Sequence, residues 1–367
     1  MAKQMEFIDL KRQYQEIRAD VEVGIQAVLS GGNYILGPEV LELENRLAEF
    51  VDAKHCIAVS SGTDALLLSL MALGVTAGDE VITTAFSFVA TAEVIALLGA
   101  TPVYVDIDRK TCNMDVAGVE SAMTPKTRAI IAVSLYGQCA DFRRLNPIAE
   151  KYGIPVIEDG AQSFGARHYD RCSCNLSLIG CTSFFPSKPL GGYGDGGAVF
   201  TSDDELNRIV RELRVHGQDR RYHHARLGIN ARMDSIQAAI LLAKLKIFPD
   251  EVEARQVIGG RYHTGLSAAG IEIIEVLDGN TSVYAQYTIK IENRDAVREK
   301  LSLSGIPSAV HYPVPLYRQP ALLLQDTELQ ETEKASERVL SLPMHPYLSQ
   351  SEQDRVIESV VNACLAV

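Results

Sequence analysis

Val156-Ile-Glu-Asp-Gly-Ala-Gln-Ser163 is the stretch on which the reading of this chain turns. An apolar run that changes abruptly to Glu158-Asp159-Gly160 reads as a strand buried on both faces and ending in a turn. Similar runs recur before it, so Cys56–Val59, Glu80–Thr84, Pro102–Asp106, Ala129–Val133 and Pro155–Glu158 are expected strands. Amphipathic stretches separate them at Asp64–Leu73, Phe88–Leu98, Asp115–Met123 and Asp141–Tyr152. Strands alternating with helices predict an α/β fold with a mainly parallel sheet covered on both faces. Ligands of such sheets sit beyond the carboxyl ends of the strands, so the residues just after each strand carry the chemistry.

Working outward, the pattern changes after Thr201. Long helices are expected over Asp203–His216 and from Asp234 to about Ala268. A strand-like Val283–Ile291, a helix near Asp295–Ser304 and a final helix from Gln350 follow. The seam is placed in Leu245–Glu253. It divides the chain into a large domain, 1–248, with an N-terminal helical arm, and a smaller C-terminal α+β domain, 249–367. At ~150 residues per domain, 367 residues suit that division.

Composition narrows the function. Lys and Arg number 35 against 47 Asp and Glu, a net charge of −12. Such a field repels nucleic acid and anionic lipid, so neither is an expected partner. Ala65–Val75 and Val89–Ala100 are the longest apolar stretches, and neither reaches the ~18–20 residues of a membrane span. Met1–Leu10 has no apolar core of a secretory signal, and seven scattered Cys suit a reducing compartment, so a cytoplasmic protein is expected.

Asp159 ends its strand facing the ligand crevice. Downstream, Ser183-Phe-Phe-Pro-Ser-Lys-Pro-Leu-Gly191 puts Lys188 in an apolar loop, where desolvation would lower its pKa toward that of a nucleophile. A loop lysine and a strand-end aspartate are what pyridoxal phosphate requires. The lysine forms a Schiff base, and the carboxylate keeps the pyridine nitrogen protonated so that the ring accepts electrons. Ser60-Ser-Gly-Thr-Asp64, between a strand and a helix, offers N–H groups and the hydroxyls of Ser61 and Thr63 to a phosphate. A plain N-cap by Thr63 or Asp64 explains the same residues. Ser183 is a further candidate phosphate donor. In Phe86-Ser-Phe88 an aromatic could stack on the cofactor ring or simply belong to the core.

Four ordered motifs carry a resemblance. Gly62-Thr-Asp-Ala65, Glu158-Asp-Gly-Ala-Gln162, Ser187-Lys188 with Gly191-Gly-Tyr-Gly-Asp-Gly-Gly197, and Asn230-Ala-Arg-Met-Asp234 together resemble the DegT/DnrJ/EryC1/StrS family of pyridoxal-phosphate sugar aminotransferases, from about Phe7 to Tyr347. The resemblance implies the aspartate-aminotransferase-like fold (fold type I). It makes Lys188 the cofactor's lysine and Asp159 the partner of the pyridine nitrogen, and it sets Gln162 on the ring hydroxyl. Gly62, Thr63 and Ser183 would hold the phosphate, and Phe88 would stack on the ring. Asn230 would reach the phosphate of a partner chain, which implies a homodimer with shared active sites. Pro189 departs from the Asn commoner after the family's lysine.

The same resemblance extends to substrate. Ser187-Lys-Pro-Leu-Gly191, His216-Gly-Gln-Asp-Arg-Arg-Tyr-His-His224 and His311-Tyr-Pro-Val-Pro-Leu316 are similar to members that aminate the 3-oxo group of a UDP-linked 2-acetamido-2-deoxy-3-oxo-glucuronate in lipopolysaccharide and O-antigen synthesis. L-Glutamate would be the donor and 2-oxoglutarate the product. A 4-oxo-6-deoxy nucleotide sugar as acceptor, or a non-catalytic cofactor-binding regulator, are the alternatives. The island Arg220, Arg221, Arg226 and Arg232 is either a solvated basic helix end or an anion site, since Arg binds carboxylate and phosphate bidentately. In the second reading Arg232 grips the uronate and the glutamate carboxylate in turn. His311, Tyr312 and Tyr34 are further candidates for sugar contacts.

Two motifs invite other readings. Gly191–Gly197 lacks the spacing of a dinucleotide fingerprint and is expected to be a flexible loop closing beside Lys188. Cys172-x-Cys174 with Cys181 and His168 has no common zinc spacing, so no metal is expected.

Overall fold

A computed structural model describes residues 5–322 and 327–366. Seven strands form the central sheet: β1 (His55–Val59), β2 (Glu80–Thr84), β3 (Thr101–Val105), β4 (Thr127–Val133), β5 (Val156–Asp159), β6 (Ile179–Ser183) and β7 (Gly197–Thr201). Their order is β1-β7-β6-β5-β4-β2-β3. The pairs β2–β3, β2–β4, β4–β5 and β5–β6 are parallel. Only β7 runs against its neighbours. Six strands therefore present their carboxyl ends along one edge, at Val59, Thr84, Val105, Val133, Asp159 and Ser183.

Helices cover both faces, and the strand interiors are accordingly mainly apolar, with polar side chains such as Glu80, Thr84, Glu158, Asp159 and Ser183 toward their ends. Ile57, Val59, Val81, Ile131, Ile157 and Val199 join one core with the helix Gly62–Ala72. Ile82, Ile130, Ala132 and Val156 join another with the helix Phe142–Lys151 on the opposite face. The helices start where short polar side chains meet unpaired N–H groups. Asp141, Asp203 and Asp234 each accept from the first turn of the helix that follows.

A second sheet, formed by Glu272–Ile273, Tyr287–Lys290 and Val339–Leu342, packs with the helices Arg294–Leu303 and Gln350–Leu365 around its own core. Linking the two bodies is a single helix, Ser235–Ala268, that runs through Pro249. The seam expected in Leu245–Glu253 thus falls inside an unbroken helix. It is held on one side by Phe248 in the large core and on the other by Ile258 and Tyr262 in the small one. The division 1–248 and 249–367 stays a proposal about these two cores. Residues 1–4 and 367 at its outer ends lie outside the described residues.

Two helical expectations change. Asp115–Met123 is a 3-10 turn, Val116–Gly118, followed by the short helix Val119–Ala122, and it ends because Met123 is extended. The helix expected to His216 stops at Leu213. Arg214 there turns inward to the buried Glu44 carboxylate at 2.7 Å, beside Arg211 at 2.8 Å. The chain then forms a small antiparallel hairpin, Gln218–Arg220 with His223–His224. The Arg220–Arg221 cations ride on an exposed hairpin rather than on a helix end.

Candidate active site

A cavity of about 460 Å³ opens at the carboxyl edge of the sheet. Its walls include Gly62, Thr63, Phe88, Asp159, Gln162, Ser183, Lys188, His311 and Tyr312. Nine of the twelve residues singled out from sequence are thereby brought together.

Asp159 closes β5 and is 6% exposed. Burial raises its pKa, and three effects oppose that. Thr91 Oγ1 donates to Oδ2 at 2.9 Å, Ala161 N–H donates to Oδ1 at 3.2 Å, and Lys188 adds a favourable charge. Lys188 sits in the loop between β6 and β7. Burial lowers its pKa, and the Asp159 carboxylate pulls it back up. Each group therefore senses the other's charge within one cavity.

Gln162 is fixed at both ends of its amide. Its carbonyl accepts from the Tyr136 N–H at 3.0 Å, and its amide nitrogen donates to the Tyr312 hydroxyl at 3.0 Å. Burial and Asp159 push the Tyr312 phenol up, so it is neutral. His311 is held at its carbonyl by the Tyr136 hydroxyl and at Nδ1 by Ser341 at 3.1 Å. Burial and the nearby Lys188 lower its pKa.

The start of the helix Gly62–Ala72 faces the end of β6. Ser61, rather than Thr63 or Asp64, is the N-cap: its hydroxyl accepts from Asp64 N–H at 3.0 Å. The N–H groups of Gly62 and Thr63, which have no acceptor within the helix, remain along the cavity. A Cβ on Gly62 would lie 2.6 Å from Ser183 Cβ, so only glycine lets the helix approach this strand end. Of the two aromatics in Phe86-Ser-Phe88, Phe86 is core and 1% exposed, whereas Phe88 lines the cavity and is 53% exposed.

Three candidates lie elsewhere. Asn230 and Arg232 are exposed and flank the buried Ala231, whose carbonyl accepts from Ser60 N–H at 3.1 Å. Arg232 Nε donates to Asn230 Oδ1 at 2.9 Å. Tyr34, 49% exposed, is tied to the same segment through its carbonyl, which accepts from Ser235 N–H. None of the three lines the cavity of its own chain.

Sequence reasoning missed Thr91, Ser87, Ser187, Asp195 and Gln286, all of which line the cavity. Thr91 had a signal, because it opens the helix after β2, at a carboxyl strand end. Its bond to Asp159 crosses the sheet and had none.

The cysteines have local partners. Cys172 Sγ takes Arg167 Nη1 at 3.1 Å, Cys174 Sγ faces the Cys181 carbonyl at 3.7 Å, and His168 Nδ1 meets Asn280 Oδ1 at 2.6 Å. Among the described residues no group of three His, Cys, Asp or Glu side chains could hold a metal ion. Within the same residues, no helix is long and apolar enough to cross a membrane.

Comparison with known proteins agrees with this geometry. The profile of the DegT/DnrJ/EryC1/StrS aminotransferase family matches residues 15–361. The UDP-2-acetamido-2-deoxy-3-oxo-D-glucuronate aminotransferase of Pseudomonas aeruginosa is 57% identical, over 98% of this chain and 100% of its own length. The crystal structure of S. venezuelae DesV in complex with a ketimine intermediate superposes with a TM-score of 0.96 at 37% identity, covering 99% of each chain. That of NtdA from Bacillus subtilis with bound cofactor PMP gives 0.90 at 32% identity, covering 95% of this chain and 82% of the other.

Proposed function

The chain belongs to the DegT/DnrJ/EryC1/StrS aminotransferase family, and from that premise we propose that it moves an amino group from L-glutamate to the 3-oxo group of a UDP-linked 2-acetamido-2-deoxy-3-oxo-hexuronate. The family and its cofactor-bound structures imply pyridoxal phosphate. The residues present fit that group: a buried carboxylate for the ring nitrogen, an amide for the ring hydroxyl and a glycine-bounded helix start for the phosphate. When bound, the cofactor supplies an electron sink for a carbon next to nitrogen.

The observation that carries the reading is that Lys188 and Asp159 line one cavity and each feels the other's charge. Burial lowers the Lys188 pKa, which favours its neutral amine, and with the cofactor bound Nζ would take up and return the substrate's proton as general acid–base. Burial raises the Asp159 pKa, while Thr91, Ala161 and Lys188 favour its ionised form, which would hold a proton on the ring nitrogen of a bound cofactor. Gln162 would orient the ring hydroxyl, Phe88 would cover the ring, and Gly62, Thr63 and Ser183 would hold the phosphate.

Asn230, Arg232 and Tyr34 are proposed to act on the cavity of a second copy, which makes the active unit a homodimer. Their exposure outside their own cavity supports that reading. Arg232 then binds the uronate carboxylate in one half-reaction and the glutamate carboxylate in the other, with His311 and Tyr312 at the sugar. The setting proposed is cytoplasmic synthesis of a nucleotide-sugar precursor of lipopolysaccharide-type polysaccharide. The test is to give the purified enzyme glutamate with either the UDP-3-oxo-uronate or a 4-oxo-6-deoxy nucleotide sugar, which has no carboxylate. Mass and NMR analysis are expected to find amination of the uronate at C3. Preference for the 4-oxo sugar would overturn the substrate assignment.

A further inference from the structure

Lys244 is a buried lysine for which the reaction has no use. It lies on the helix Ser235–Ala268, is 1% exposed, and donates from Nζ to the Gly191 carbonyl at 2.5 Å. Its ammonium stands over the Tyr193 ring, 4.3 Å from the centroid. The nearby carboxylate of Glu251 is already engaged by Gln13 at 2.8 Å and by the Tyr347 hydroxyl at 2.6 Å. Burial draws the Lys244 pKa down to about 8, with Glu251 resisting. A lysine kept buried at that cost, with a loop carbonyl as its acceptor, has its main purpose in the loop.

Gln237 makes a second tie from the same face of the helix, two turns earlier. Its side-chain carbonyl accepts from Tyr193 N–H at 2.9 Å. A Cβ on Gly192 would come within 2.9 Å of Gln237 Oε1, and one on Gly194 within 2.9 Å of Nε2. The loop backbone packs close around this amide, and a side chain at either glycine would push the amide from its place. The glycine run, expected from sequence to be a flexible closing loop, is therefore a close-packed seat. Within the loop, Gly192 N–H donates to the Phe184 carbonyl at 2.7 Å and Lys188 N–H to the Phe185 carbonyl at 2.8 Å.

We propose that Lys244 and Gln237 are positioning residues that clamp the loop between β6 and β7 to the long helix, and so fix Lys188 in the cavity it shares with Asp159. The catalytic part of this rests on the role given to Lys188 above. A clamped loop keeps the lysine amine in its reactive position without reordering the backbone at each turnover.

Two measurements separate the clamp from its consequence. Hydrogen exchange of the cofactor-free protein over residues 184–197 reads the clamp whatever Lys188 does, and steady-state kinetics of the holoenzyme read the positioning. Lys244→Met is expected to speed exchange of the loop amides about tenfold while β4 stays protected. It should lower kcat about tenfold and leave both KM values within about threefold, because misplacement by a fraction of an ångström acts on the chemical step. Lys244→Arg, which keeps a cationic donor, should recover part of kcat. Wild-type exchange in the loop, a wild-type kcat despite faster exchange, or a rise in exchange spread over the whole sheet would each overturn the proposal. If Lys244→Met does not fold, Gln237→Leu takes its place, with the same local rise expected and the same contrary results. Full activity in Lys188→Ala would overturn the role of Lys188 and leave the exchange result standing.

Discussion

The inner wall of the cavity and the outer face around Asn230, Arg232 and Tyr34 are built on different principles. On the inner wall Asp159 and Gln162 are held by partners from the same chain, Asp159 by Thr91 and Ala161 and Gln162 by Tyr136 and Tyr312. On the outer face Arg232 donates to its neighbour Asn230, both exposed, and the preceding segment carries Tyr222 in the hairpin turn at 82% and Leu227 after the hairpin at 91% exposure. In the proposed function, the wall that handles protons is preorganised within one chain, whereas the groups proposed to recognise charge on the substrate would be completed by a second copy and the substrate. Substitutions on the inner wall should therefore strike kcat, and those on the outer face should strike KM.

The largest expected effect is that of Lys188→Ala, which removes the proton carrier. Turnover should fall by at least about ten-thousandfold while circular dichroism stays unchanged. Asp159→Asn comes next. It keeps the hydrogen bonds with Thr91 and Ala161 nearly isosteric but no longer stabilises a protonated ring, so kcat should drop by about a hundredfold to a thousandfold. A loss confined to KM in either variant would erase the contrast between the two regions.

Arg232→Ala tests the outer face. Loss of a charged hydrogen-bonding pair of ~2 kcal/mol should raise KM for both the uronate and glutamate roughly thirtyfold. An unchanged KM for either substrate would break the proposal that one guanidinium serves both.

The remaining expected effect is on stability rather than on kinetics. Glu158, fully buried behind Asp159, accepts from Ser173 Oγ at 2.7 Å, and burial raises its pKa to about 7. A carboxyl whose folded pKa lies above its unfolded value favours folding when protonated, so its contribution is present below about pH 4.5 and is lost as pH rises toward 7. Compared with the wild type, Glu158→Gln should gain stability progressively over that window, by up to ~3 kcal/mol, in denaturant titrations at several pH values. Identical pH profiles for the two proteins would show that burial of this carboxyl is offset by its hydrogen bonds.

The two regions were also unequally legible in the sequence. Strands buried on both faces are apolar runs whose limits are visible, and Glu80–Thr84 is the strand observed. The residues at their carboxyl ends then follow, which is how Asp159, Gln162, Lys188 and the Gly62–Thr63 turn could be read together. Features set by distant packing were not legible. The helix expected from Asp234 to about Ala268 is whole, but the seam placed within it is no break: a separate core packs on each side of Pro249. Gly118 would put a Cβ 2.9 Å from Val105 Cγ1, so the chain runs close under the sheet there, where a regular helix was expected. The bonds from Thr91 to Asp159 and from Lys244 to Gly191 join segments whose approach no local pattern announces.

Borohydride reduction of the enzyme saturated with pyridoxal phosphate, followed by peptide mass spectrometry, tests the central claim most directly. The cofactor's mass should be fixed irreversibly on Lys188 and nowhere else. Its appearance on another lysine, above all on the buried Lys244, would contradict the account.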